Sequence, residues 1–193
     1  MPVDRADLEQ RIAAATPADT SRGLNFNTLF HLVRERLGED AAKRCDPAGR
    51  GSRIDFFSYP VAEYLRALAP AIEQLGPLLG GADGLLDELG RRTGGGFLSS
   101  ALGKTILTLA GRDPRRLVSS GPAAYRGAVS YGERTVEWLG DQHARMVFKR
   151  DFMPPAFHRG VVLGVLATTA AKSPSVVARA DGLLDSTYDV SWS

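Results

Sequence analysis

The sequence predicts an α+β fold in which an N-terminal helical layer packs on a small antiparallel sheet. Apolar residues recur at helical spacing through about residue 131, and from residue 132 the pattern switches to period two. The order is helices first, then strand–strand–helix–strand–strand, a segregation that goes with an antiparallel sheet. A length of 193 residues suits one domain with a proper core. Residues 1–22 form an N-terminal helix and turn, 23–131 the helical part, and 132–193 the sheet-forming part.

The elements follow in order. Residues 4–15 read as a short helix capped by Asp4 or Asp7. A turn over 17–23 leads to a helix over 25–37, with Phe26, Leu29, Phe30, Val33 and Leu37 on one face and Gly38 as its stop. Residues 39–45 add a short helical turn, and 47–52 are a flexible linker. The next helix, over 60–75, opens on Pro60 and buries Val61, Tyr64, Leu65, Leu68 and Ile72. Pro70 should kink or break it. Two helices over 82–92 and 97–109 are parted by Gly94, Gly95 and Gly96, read as a hinge. Asp113-Pro114 opens another helix, with Asp113 as N-cap, ending near Tyr131-Gly132. Val136 and Trp138, then Met146 and Phe148, alternate with polar residues around Gly140-Asp141, which is a hairpin signal. A helix over 155–171, a strand over 176–179, a turn at Asp181-Gly182 and a last strand through Tyr188, Val190 and Trp192 complete the chain.

Composition narrows the function classes. The 24 basic and 22 acidic residues nearly balance, which argues against a dedicated nucleic-acid binder. The single cysteine, Cys45, excludes an intrachain disulfide and suits a reducing compartment. The N-terminal MPVDRADLEQRIAAAT lacks an apolar secretory core, and the longest apolar run, 161–165, is too short to span a bilayer. A cytoplasmic protein is expected.

No chemistry-bearing constellation stands out. The glycine run lacks Walker spacing and a preceding strand. Ser119, Ser120 and Ser130 do not fall in a nucleophile-elbow motif. His31, His143 and His158 are not at metal-ligand spacing, so no metal is expected. His31 reads as a helix flank and His143 as an exposed hairpin residue. His158, near a helix start, is either a ligand contact or a capping or surface residue. Asp55 and Asp151 are possible buried carboxylates whose pKa values burial would raise, or helix caps or arginine partners. Arg112, Arg115 and Arg116, in RDPRR, form either a patch for an acidic partner or local cap chemistry. Gly160 and Gly164 read as close packing of their helix on the sheet. Aromatics gather at element ends; they either fill a core or line a cavity between helices and sheet. The candidate ligand set is Phe56, Tyr59, Tyr64, Tyr125, Phe152, Phe157 and His158.

The pieces RGLNFN, DFFSYPVAEYLR, LAGRDPRRL, AAYRGAVSYGERTVEW, FKRDFMPPAFHRGV and YDVSW run from Arg22 to the C-terminus. Together they resemble a paralogous domain family of unknown function known from myxobacteria, which implies no activity. The layout is more distantly similar to the superfamily of haem nitric-oxide-binding domains, four-vinyl-reductase-type sensors and the transport-particle (TRAPP-like) subunits of vesicle tethering. FHRGVVLGVLATTA looks like the helix such domains place between strands. Haem members carry a proximal histidine and a Tyr-x-Ser-x-Arg clamp. Here residues 114–131 hold no histidine. Tyr131-Gly132-Glu133-Arg134 has the wrong spacing and an acid that would repel a propionate.

The resemblance implies a non-enzymatic regulatory or interaction module of sensor or tether type, without haem or another cofactor. It would bind another protein, including a second copy as a homodimer. The alternative is a sensor of a small apolar ligand. A third reading is an enzyme with an unrecognised site, for which Asp55, Asp151 and His158 would be mutated first.

Overall fold

The computed structural model describes residues 5–193; Asp4 lies outside them. Helix α1 (Arg5–Ala14) leads to strand β1 (Thr20–Arg22), then α2 (Gly23–Leu37) and α3 (Glu39–Arg44). Strand β2 (Ser58–Pro60) opens α4 (Val61–Leu75), followed by α5 (Ala82–Ser99), α6 (Ala101–Ala110) and α7 (Pro114–Ala128). The C-terminal part is β3 (Glu133–Gly140), β4 (His143–Lys149), α8 (Pro155–Leu166), β5 (Ser175–Ala180) and β6 (Ser186–Ser191). The last four strands form an antiparallel sheet in the order β3-β4-β6-β5, as the alternation predicts.

Two apolar cores result. In the helical core the predicted stripes of α2 and α4 meet, with Phe26 and Tyr64 ring centroids 5.0 Å apart. The sheet core is the inward face of β4 and β6, with Ala144, Met146, Phe148, Tyr188 and Val190, closed by Val118 of α7. Helix α8 serves both: Phe157 enters the helical core, and Val162 and Leu166 enter the sheet core. Cys45 is fully buried among the helices. Among the described residues no helix is long and apolar enough to cross a membrane.

The structure departs from the sequence reading at several points. Helix α4 runs unbroken through Pro70. The carbonyl that loses its helical donor belongs to Arg66, on the exposed face, where water can serve it. Residues 47–52 turn back around Asp46, whose carboxylate accepts from the Gly51 amide at 2.7 Å and from Arg53 at 2.7 Å. Gly94, Gly95 and Gly96 lie inside α5, not in a hinge. The break comes at Ser100, which caps α6 by accepting from the Gly103 amide. Helix α7 stops at Ala128 because Val129 is extended and bridges Ser21. Helix α8 ends at Leu166, short of residue 171.

Gly160 and Gly164 pack against α5 rather than the sheet. A Cβ on Gly160 would stand 2.1 Å from the Asp87 carbonyl oxygen, and one on Gly164 2.6 Å from that of Arg91. The contact is reciprocal: a Cβ on Gly90 would meet the Phe157 carbonyl oxygen at 2.0 Å, and one on Gly94 that of Val161 at 2.7 Å. Four glycines thus let two helix backbones touch.

Strands β1 and β2 pair in a small antiparallel sheet that the sequence reading misses. Three residues per strand give no period to detect. The β1 end is tied to the rest by a Ser130 hydroxyl that accepts from the Thr20 amide, and by a bidentate Arg150–Asp19 pair at 2.6 and 2.8 Å.

Candidate functional site

A cavity of about 870 Å³ lies between the ends of α5–α8 and the start of the large sheet. Its walls are mainly apolar: Phe97 and Leu98 of α5, Leu102 and Ile106 of α6, Leu117 of α7, and Val161 and Val165 of α8. The exposed Phe56 stands on its rim.

A chain of hydrogen bonds forms its polar floor. Tyr125 Oη is 2.9 Å from His158 Nδ1, and His158 Nε2 is 2.8 Å from Asp151 Oδ1. The other carboxylate oxygen of Asp151 accepts from Arg134 Nη2, and Arg134 Nη1 donates to the Tyr131 carbonyl. The Asp151 carboxylate accepts only, so Nε2–H donates to it, and the Tyr125 hydroxyl donates to the free Nδ1.

Local sequence sets this geometry. Asp151 follows Arg150, which takes a positive φ of 51° to end β4. Asp151 Oδ1 also accepts from the Met153 amide at 2.9 Å, closing a turn that delivers Pro155 to the first turn of α8. His158 sits one turn into α8, where side chains lean toward the helix N-terminus, and so it meets Asp151. Arg134 enters from β3 at an inward position shared with Val136 and Trp138. Its guanidinium lies 5.1 Å from the Tyr125 ring centroid and 5.6 Å from that of Phe148.

The electrostatics correct one expectation. Burial pushes the Asp151 carboxyl up, but its contacts with His158 and with the Arg134 guanidinium outweigh it. Asp151 is held well below the usual carboxylate range. Burial, with the nearby Asp151 charge, pushes the Tyr125 and Tyr131 hydroxyls up, so both stay protonated. Asp55 is not buried; it is exposed and accepts from Asn27 at 2.7 Å.

Of the seven candidate ligand residues, Phe56, Tyr125, Phe157 and His158 line this cavity. Tyr59, Tyr64 and Phe152 do not line it; they pack in the helical core, Phe152 against Tyr131 at 4.9 Å. His158 is buried, at 2% exposure, rather than a capping or surface residue. Tyr131, one of the aromatics at element ends, also lines the cavity, as do Arg134 and Thr93, which the sequence reading does not place there. Period two on β3, counted back from Trp138 and Val136, would have placed Arg134 inward.

RDPRR divides. Asp113 caps α7, accepting from the amides of Arg115 and Arg116. Arg115 stacks on Trp138 at 4.0 Å and donates to the carbonyls of Gly140 and Asp141, which ties α7 to the hairpin tip. Arg112 and Arg116 remain exposed. Among the described residues no cluster of three or more His, Cys, Asp or Glu side chains is placed to hold a metal ion.

The model of the family described as "Protein of unknown function (DUF2378)" matches residues 14–193. The chain belongs to that family. Among curated proteins this DUF2378 member has no match. Its fold is that of solved H-NOX domains. The Fe(II) unliganded H-NOX protein from K. algicida superposes with a TM-score of 0.70 at 15% identity, over 89% of this chain and 96% of that one. An H-NOX protein from S. oneidensis in the Fe(II)NO ligation state gives 0.68 at 12% identity, over 89% and 99%.

Haem can therefore be tested against the DUF2378 cavity. His158 is its one histidine, and hydrogen bonds engage both ring nitrogens, leaving no lone pair for iron. The Arg134 charge is already matched by Asp151, so a propionate would find no free counter-charge there. Both lining tyrosines are held as neutral phenols. These residues do not fit a haem.

Proposed function

We propose that this protein is a non-enzymatic sensor module, without haem, that binds a small apolar ligand between its helices and its sheet. The cavity of about 870 Å³ carries the proposal. Its size and its apolar walls with a few fixed polar groups suit a ligand site. The polar floor is built to hold shape, not to react. Asp151 has both oxygens taken and His158 both nitrogens, and the Tyr125 hydroxyl is held protonated, so none is poised as a base or nucleophile.

Occupancy would be passed to another protein, with the exposed Arg112 and Arg116 offering an acidic partner a contact. The lone thiol suits a reducing, cytoplasmic setting. Native mass spectrometry of the purified protein, beside a denatured sample, tests the ligand. Excess mass lost on denaturation is expected. A clean mass, together with no rise in melting temperature from any small apolar compound, would remove the cavity from the account.

A further inference from the structure

The proposed ligand site has two polar atoms that nothing in the protein satisfies. Thr93 Oγ1 and Arg134 Nε are buried without a hydrogen-bond partner, and both residues line the cavity. Thr93 is 8% exposed and Arg134 9%. Buried polar groups are nearly always paired, so each orphan calls for a partner.

Thr93 departs from the habit of its own fold. Helical threonines elsewhere in the chain turn the hydroxyl back to a carbonyl four residues earlier: Thr28 to Leu24, Thr105 to Ala101, Thr108 to Lys104. Thr93 forgoes that bond, although it too lies within a helix. Arg134 uses Nη1 and Nη2 on Tyr131 and Asp151, leaving Nε as its orphan. Arg134 Nε can only donate and the Thr93 hydroxyl can donate, so a matching ligand group must accept.

The charges of the site decide what kind of acceptor. Arg134 is matched by the buried Asp151. At the rim Arg22, bonded to the carbonyls of Gly127 and Phe56, faces the cavity together with Asp55. Positive and negative groups balance at both ends. A carboxylate ligand would add an uncompensated charge to an apolar chamber, which is heavily disfavoured.

We infer that the cavity takes an uncharged amphiphile, with an apolar body and a hydroxyl or carbonyl head that accepts from Thr93. This rests on the ligand-binding reading above and specifies its chemical class.

Calorimetric titration of the full chain with decanol, decanoate and decylamine tests it. Decanol should bind about tenfold or more tighter than either charged probe. Thr93→Val keeps the side-chain shape and removes the hydroxyl; it should weaken decanol by about two- to tenfold and leave the melting temperature nearly unchanged. Tighter binding of decanoate or decylamine overturns the inference. So does equal binding of all three, or decanol binding unaffected in Thr93→Val, while the ligand-binding reading survives. Binding of none of the three overturns the inference, and with a clean native mass and no melting-temperature rise from any small apolar compound it overturns the ligand-binding reading as well.

Discussion

Asp151 holds the polar floor together, because three elements converge on its carboxylate. Arg134 comes from β3, His158 from α8, and the Met153 amide from the turn between β4 and α8. Asp151→Asn would leave the Arg134 charge buried without a counter-charge. A loss of about 3–5 kcal/mol in urea unfolding is expected; a loss under about 1 kcal/mol would show that the pair is dispensable.

Asp19 makes the matching contact at the other end of the chain. The hydrogen bond from Arg150 lowers its pKa to about 2. A carboxyl depressed in the folded state binds its proton less readily than in the unfolded chain. Its contribution is therefore complete above the unfolded value near about 4 and disappears as pH falls through about 2. With Arg150 half exposed, that contribution is about 1–2 kcal/mol. Urea midpoints followed from pH about 5 to about 2 should fall less steeply in Asp19→Asn than in the parent. At this scale the sequence showed part of the site. His158, Phe157 and Tyr125 could be picked out because they lie near element ends. Tyr64 and Phe152 look the same in the sequence, yet they fill a core. Whether an aromatic faces a void depends on packing between distant elements, which local pattern does not encode.

At the scale of elements, the crossing of α5 and α8 positions the site. Its four glycines set how close the helices come, and so where α8 carries His158. Gly160→Ala would push a methyl group into the Asp87 carbonyl and should cost about 2 kcal/mol or more. Gly95 lies on the same helix, α5, but a Cβ there meets nothing within 4 Å. Gly95→Ala should stabilise by about 0.5–1 kcal/mol through helix propensity and a less flexible unfolded chain. Thermal melts of the two variants should thus move in opposite directions. A rise in both would mean that the crossing is not close-packed. The sequence displayed all of these glycines but not their use. A run of three reads as a break, and spacing alone cannot name the surface a glycine packs against. The hairpin and the terminal strand were legible because period two persists there over several residues. Strands β1 and β2 were too short to show it.

Over the whole molecule, two cores share α8, and the cavity lies beside the part of that helix they share. A chain of this composition has ample apolar residues to fill its interior, so the void is held open by the helices framing it. Ala124 lines it from α7. Ala124→Phe should fill it, abolishing any retained ligand mass in native spectra while the ligand-free melting temperature stays level or rises. A variant that still carries the ligand would place binding elsewhere. The α+β class and the segregation of its halves followed from the switch of hydrophobic period. The cavity did not, because it is a property of the gaps between elements.

The lone cysteine gives this architecture a built-in clock. Cys45 is sealed in the helical core, and burial pushes its thiol up to about 11. A thiol reagent can reach it only during the brief moments when those helices part. With one cysteine in the sequence, every labelling event reports the same opening. The rate of modification in native buffer therefore counts how often the helical half breathes, and any slowing when the cavity is filled would record communication between the two.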